Sequence, residues 1–293
     1  MWSPASAIEP RVPGSRLAEL VAASSIEISP RELHRAGEVA ANLPANTCVY
    51  VPSLPGLPFA RTLEVLGAIR AAGLDPVPHV SARRVPGRQE LRDFLARAVA
   101  EHGVHRVMLI GGDERSAKGP YRDSLEILAE GVLSTAGVRE IGVAGYPEGH
   151  PAIPARELGI ALEKKLALAR EQGLGLYVVT QFSFSPLRVI EYCADLERSA
   201  PAVPVYVGIA GPTDPAALAR YAQRCGVSAS LRALRTLGTG IARLVTHTDP
   251  SEQVAALARY VAARESSNVV GMHFYSFGGA VRTAGWMKEM LSR

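Results

Sequence analysis

Two hydrophobic rhythms alternate along this chain. Short β-branched or apolar runs end in polar, Gly or Pro clusters, and an Ala/Leu/Arg/Glu-rich amphipathic stretch follows each. The short runs predict strands at 24–28, 47–51, 76–81, 105–110, 139–146, 174–181, 203–208 and 268–275. The amphipathic stretches predict helices at 31–41, 59–72, 88–101, 121–134, 155–172, 186–199, 214–225 and 251–265. Strand alternating with helix implies crossover connections and a parallel sheet. Eight such units fit an α/β fold of the (β/α)8 TIM-type barrel kind in one domain, with a doubly wound open sheet as the competing arrangement. The number of units favours the barrel, as does the lack of a GxGxxG after the first strand.

Punctuation supports these boundaries. Gly73, Gly103 and Gly173 fall just past three predicted helices, where glycine takes the left-handed C′ conformation cheaply. Asp214-Pro215 reads as an N-cap followed by a first-turn proline. The gap between the last two strands is about twice the usual repeat, and its extra piece, 228–245, predicts one or two added helices before the last strand. Leu237–Gly240 supplies a lone GxG there, a weak phosphate-loop signal. Residues 52–58 read as a loop and residues 1–16 as a flexible arm on a single barrel domain spanning the chain.

Composition narrows the function. Of 293 residues, 47% are hydrophobic and 20% charged, which suits a buried core and excludes wholesale disorder. The net charge of +4 is spread along the chain, with no basic block or basic–aromatic interleaving of a nucleic-acid binder. No apolar run approaches the roughly 18 residues of a membrane span, and the first residues have no apolar signal core. Three widely spaced cysteines, Cys48, Cys193 and Cys225, argue against a disulfide framework and a Cys-ligated metal, so a reducing cytoplasm is expected.

In a barrel the chemistry sits at the C-terminal ends of the strands. Glu27 lies in an apolar run at the end of the first strand, where an inward carboxylate must be used or paired. His79, near the end of the third, is either a ligand contact or a satisfied core histidine. The fourth strand runs into Gly111-Gly112-Asp113-Glu114, which is either a close-approach loop projecting Asp113 or a turn with a capping aspartate. Tyr146-Pro147-Glu148-Gly149-His150-Pro151 follows the fifth strand, and Thr180-Gln181-Phe182 ends the sixth. Gln181 is a two-way hydrogen-bonding amide beside an aromatic, suited to a heterocycle edge. The eighth strand carries His273, Phe274 and Tyr275, as ligand contacts or as an aromatic core. HExxH, GxSxG, Walker A and zinc spacings are absent, and a metal on His79, Asp113 and Glu148 is disfavoured.

Taken in order, these strand-end groups resemble the methylenetetrahydrofolate reductase family over about residues 24–290. The likeness rests on Glu27, Pro78-His79, Gly112-Asp113, Tyr146-Pro147-Glu148 with His150-Pro151, Thr180-Gln181-Phe182 and His273-Phe274-Tyr275. It implies a (β/α)8 barrel acting on reduced folates with NAD(P)H and FAD. Glu27 matches the proton donor toward folate N10, and Asp113 an aspartate near pterin and flavin. Gln181 and Tyr275 match substrate-pocket residues, with Phe182 beside them. His79, Gly112, Tyr146 and His150 match flavin-side positions, and Lys165 a lysine near the flavin phosphates.

Departures concentrate on the flavin side. Gly111 stands where the family has an arginine facing the flavin diphosphate, Leu158 and Ala161 where it has Asp and Asn, Pro52 replaces a threonine, and Gly278-Gly279 replace Asn-Arg. Each lost charge-assisted bond is worth on the order of 1.5–3 kcal/mol. FAD is therefore expected to bind weakly or not at all unless Lys164, Lys118 or Arg115 compensates.

The resemblance implies an oxidoreductase of one-carbon metabolism interconverting 5,10-methylenetetrahydrofolate and 5-methyltetrahydrofolate, by way of FAD or by direct hydride transfer. A related enzyme working oxidatively in methyl-group catabolism, and a non-catalytic folate or flavin carrier, stand as alternatives. No regulatory region like that of eukaryotic relatives is expected. Ala- and Leu-rich helix faces permit homo-oligomers.

Overall fold

The computed structural model describes residues 14–214, 218, 220, 221 and 249–292. Eight parallel strands close into a barrel in sequence order: β1 (Ser25–Glu27), β2 (Cys48–Val51), β3 (Asp75–Ser81), β4 (Arg106–Ile110), β5 (Glu140–Gly145), β6 (Gly175–Thr180), β7 (Val205–Ala210) and β8 (Val269–Tyr275). Closure pairs β1 with β8, setting Ser25 opposite His273. The chain is a TIM barrel, and every strand bound lies within two residues of the sequence expectation.

The described helices are α1 (Gly14–Ala22), α2 (Ala36–Ala40), α3 (Phe59–Ala71), α4 (Arg88–His102), α5 (Ser124–Ala129), α6 (Val132–Thr135), α7 (Ala155–Glu171), α8 (Pro186–Ser199), α9 (Ser251–Ala262) and α10 (Ala280–Leu291). Local chemistry sets their ends. Ser29 and Glu32 form a capping box that opens a 3-10 turn, Pro30–Arg35, ahead of α2. Ser185 caps α8, with Pro186 in its first turn. Gly103 ends α4 at φ 62°.

Three expectations need correcting. Residues 14–16 are not part of a loose arm, because α1 begins at Gly14 and buries Leu20 and Val21 against β8, α9 and α10. The helix expected over 121–134 is two short ones, broken where Gly131 turns to φ 72°. The expected helix at 31–41 starts as the 3-10 turn. The added helices at 228–245, the Leu237–Gly240 glycines and nearly all of the helix expected at 214–225 lie outside the described residues.

Strand periodicity sorts side chains into two cores. Ile26, Val49, Val80, Leu109, Val143, Val178, Val207 and Phe274 face the helices in one continuous apolar layer. Tyr50, Val77, Met108, Tyr177 and Val179 fill the barrel interior. No helix among the described residues is long and apolar enough to cross a membrane.

Candidate active site

Alternation along β1 turns Ile26 and Ile28 outward into apolar packing and Ser25 and Glu27 inward. In β8 the same rule buries Phe274 among the helices and sends His273 and Tyr275 into the barrel. The β1–β8 closure then brings His273 beside Glu27, with Nε2 3.6 Å from Glu27 Oε1. His79 reaches the same carboxylate from β3, with Nε2 at 3.8 Å. Glu27 is thus flanked by two imidazoles at the C-terminal mouth, with its side chain 14% exposed.

The surroundings hold these groups apart in character. His273 Nδ1 meets Ser25 Oγ at 2.9 Å, which fixes the ring. Tyr50 packs edge-on against both His79 and His273. Burial pushes His79 down to about 4 against the pull of Glu27, so its imidazole is neutral at pH 7. Its buried Nε2 has no hydrogen-bond partner. An acid and an orphaned imidazole nitrogen facing one space are equipped to meet a polar ligand atom.

One wall of this space is aromatic. The Tyr275 hydroxyl donates to Thr180 O at 3.0 Å, and its ring lies edge-on to His273. Thr180 Oγ1 accepts from Gly208 N–H at 2.8 Å. Gln181 shares the inward face of Tyr177 and Val179; its backbone N–H donates to Gly145 O, and its side-chain oxygen accepts from Phe182 N–H at 3.2 Å. That geometry leaves the amide NH2 to be offered forward. Phe182 lies on the opposite strand face from Gln181. It is 1% exposed and packs on Phe184, Tyr275 and Phe277. It backs the Tyr275 wall.

The opposite rim is built from the β4 and β5 loops. Gly112 has φ 97°, and a Cβ there would collide with Ser81 Oγ, so only glycine suits this approach. Asp113 does not project inward. It is 93% exposed, with Oδ2 4.0 Å from Arg84 Nη2. Arg84 instead grips Glu114 and the carbonyl of Ser53. Tyr146 and His150 pack edge-on, with ring centroids 5.1 Å apart. Burial raises the Tyr146 hydroxyl and lowers His150; nearby Asp113 reinforces the first shift and opposes the second. Lys165 sits ten residues, about 15 Å, along α7 from its start. Burial lowers its ammonium, and the charge opposing that is Asp123 at the start of α5.

The flavin diphosphate expected from the resemblance finds little here. Arg83 donates to Glu114 O and Arg122 O, and Arg84 is engaged by Glu114 and Ser53. Leu158 and Ala161 offer no donors. Among the described residues, the basic groups left include the exposed Arg115 and Lys118 of the β4 loop and, on α7, the exposed Lys164 and the partly buried Lys165, none of them held by a hydrogen bond or ion pair of its side chain. A diphosphate calls for preorganised cationic donors, and this set does not fit one. Groups of His, Cys, Asp and Glu able to hold a metal are absent among the described residues.

Three contributors escaped the sequence reading: Ser25, His273 as partner of Glu27, and Arg84. Strand phase could have flagged the first two. Nothing local marks Arg84.

Comparison with known proteins bears on this site. The family profile described as methylenetetrahydrofolate reductase matches residues 60–280. Methylenetetrahydrofolate reductase 2 of Saccharomyces cerevisiae is 36% identical over 83 residues, which make up 28% of this chain and only 14% of the yeast protein. Among solved structures, Yersinia pestis DHPS with a pterine-sulfa conjugate aligns over 92% of each chain at 11% identity and a TM-score of 0.50. Dihydropteroate synthase from Thermus thermophilus covers 92% of this chain and 91% of its own at 17% identity and a TM-score of 0.47. At 11% identity the likeness to the Yersinia pestis structure speaks for the fold alone.

Proposed function

The chain belongs to the methylenetetrahydrofolate reductase family, and from that premise we propose that it interconverts 5,10-methylenetetrahydrofolate and 5-methyltetrahydrofolate in the cytoplasm. The observation that carries the reading is the Glu27 carboxyl at the barrel mouth, flanked by His79 and His273 at 3.8 and 3.6 Å.

The chemistry needs one proton and one hydride. Glu27 gives a proton to folate N10, the five-membered ring opens, and the methylene carbon becomes an iminium on N5. Hydride from C4 of a nicotinamide adds to that carbon and yields the methyl group, leaving NAD(P)+. His79 stays neutral and does not compete for the proton. Gln181 offers its amide to the pterin edge, and Tyr275 walls the substrate. We place nicotinamide and folate in the mouth together, because the described residues do not suit a flavin diphosphate. Closing both ligands over Glu27 excludes water from the iminium. Asp113 and the Tyr146–His150 pair then act from the rim on the nicotinamide side.

The test is Glu27→Gln in an assay of NAD(P)H oxidation driven by methylenetetrahydrofolate. Loss of a general acid lowers kcat by about 10²–10⁴, while 5-methyltetrahydrofolate still binds. A variant within tenfold of wild type makes Glu27 a structural group and removes the mechanism. A visible spectrum of the purified protein after addition of FAD and desalting checks the cofactor: a flavin band at one equivalent overturns direct transfer.

A further inference from the structure

The barrel has a second opening. At its N-terminal end, opposite the catalytic mouth, a cavity of about 190 Å³ is lined by Thr47, Cys48, Tyr50, Arg106 and Tyr206, with Ala22 and Ala23 at its exposed edge. Its lining mixes polar and apolar groups, and it has room for several water molecules. Ser25 lines it too.

Ser25 is also the residue whose Oγ lies 2.9 Å from His273 Nδ1. His273 is 1% exposed, and its other ring nitrogen faces Glu27 Oε1 at 3.6 Å. Contacts of that length commonly tighten once ligands are bound. Ser25, His273 and Glu27 thus line up from the lower cavity through the barrel interior to the mouth, hydrogen-bonded at the Ser25–His273 step and 3.6 Å apart at the His273–Glu27 step. Among the described residues, two neighbouring groups stay outside this line. His79 Nε2 has no hydrogen-bond partner, and the Tyr50 hydroxyl donates across the barrel to the Tyr177 hydroxyl at 2.9 Å.

The reaction proposed above consumes one proton per hydride, and folate and nicotinamide together cover the upper mouth while Glu27 is a carboxylate. We propose that the lower cavity is the proton entrance of this enzyme, and that Ser25 and His273 relay protons from cavity water to Glu27. The inference rests on the reaction reading above. A proton from water binds Ser25 Oγ as the serine hydroxyl proton passes to His273 Nδ1, and the Nε2 proton passes to the Glu27 carboxylate; the ring returns to its Nε2–H tautomer by proton exchange with water once the mouth opens between turnovers. One proton enters for each one delivered to N10, no electrons move, and folate oxidation runs the line backward. Ser25 and His273 do not touch substrate in this scheme; they supply the acid that does.

Ser25→Val and Ser25→Thr add the same bulk at one position and differ by a hydroxyl, so their comparison isolates the relay. The readout is kcat at saturating substrates in H2O and D2O, with KM for each substrate. The threonine variant is expected to stay near wild type. The valine variant is expected to lose about tenfold or more in kcat, with both KM values preserved and a larger solvent isotope effect. Equal kcat in the two variants, a loss that falls on KM, or an unchanged isotope effect overturns the relay. Ala23→Leu narrows the cavity edge without touching the site. It is expected to lower kcat and raise the isotope effect, and it decides the matter if Ser25→Val does not fold; unchanged kcat overturns the cavity as proton source. A wild type with no folate-dependent NAD(P)H oxidation overturns the reaction and the relay together. A wild type that turns over while valine matches threonine overturns the relay alone.

Discussion

His79 makes the stability of this barrel depend on pH in a way that can be measured. Its side chain is 10% exposed between the β3 end and Glu27. Burial drags its imidazole from 6.5 to about 4; the Glu27 charge resists, while His273 and Arg84 push the same way as burial. The unfolded chain therefore takes up a proton at this residue near pH 6.5, and the folded chain refuses it until about pH 4. With the folded value below the unfolded one, the contribution is intact above pH 6.5 and is lost as the pH falls toward 4. At about 1.4 kcal/mol per pH unit the loss reaches ~3 kcal/mol, a large share of the roughly 5–15 kcal/mol that holds a typical domain. Urea unfolding of wild type and His79→Gln across this pH range reads the effect directly. The difference between the two proteins cancels the other titrating groups, and it should move by ~3 kcal/mol against wild type on acidification. A difference that stays flat refutes the reasoning, because His79 would then titrate as freely in the fold as out of it. A wild type that gains on the variant in acid refutes it in the opposite sense, by showing an imidazolium–Glu27 ion pair.

Two further outcomes test the rim. Arg84→Met strands the Glu114 carboxylate, whose side chain is 16% exposed; chemical denaturation should show a loss of about 3 kcal/mol, most of it recovered by adding Glu114→Gln. Asp113→Asn changes a residue that is 93% exposed, so the melting temperature should not move, and any change in turnover reports on ligand; a large drop in melting temperature would show that Asp113 supports the loop.

The strands were legible because each is a β-branched run closed by Gly, Pro or polar residues, and α8 because Ser185 and Pro186 mark its start. What escaped depended on distant partners. The apolar face of α1, Leu17, Leu20 and Val21, has no meaning until β8, α9 and α10 lie against it. The break at Gly131 was masked by apolar residues on both sides of it, Leu128 and Val132, which stay buried in the same core.

The site divides along the same line. Strand phase is a local property, so it can be read from the residues alone. It puts Ser25 with Glu27, His273 with Tyr275, and Phe182 on the face opposite Gln181. Cross-barrel proximity is different, because a carboxylate on β1 meets imidazoles from β3 and β8 only once the eighth strand pairs with the first in a register that sets Ser25 against His273. A one-residue slip of β8 would turn His273 outward and put Phe274 beside Glu27, removing both the imidazole and the serine contact. The barrel closure therefore defines the acid's environment as much as the glutamate itself does. By the same argument, the residues that tune Glu27 are those on the closing strands, ahead of exposed loop residues such as Asp113.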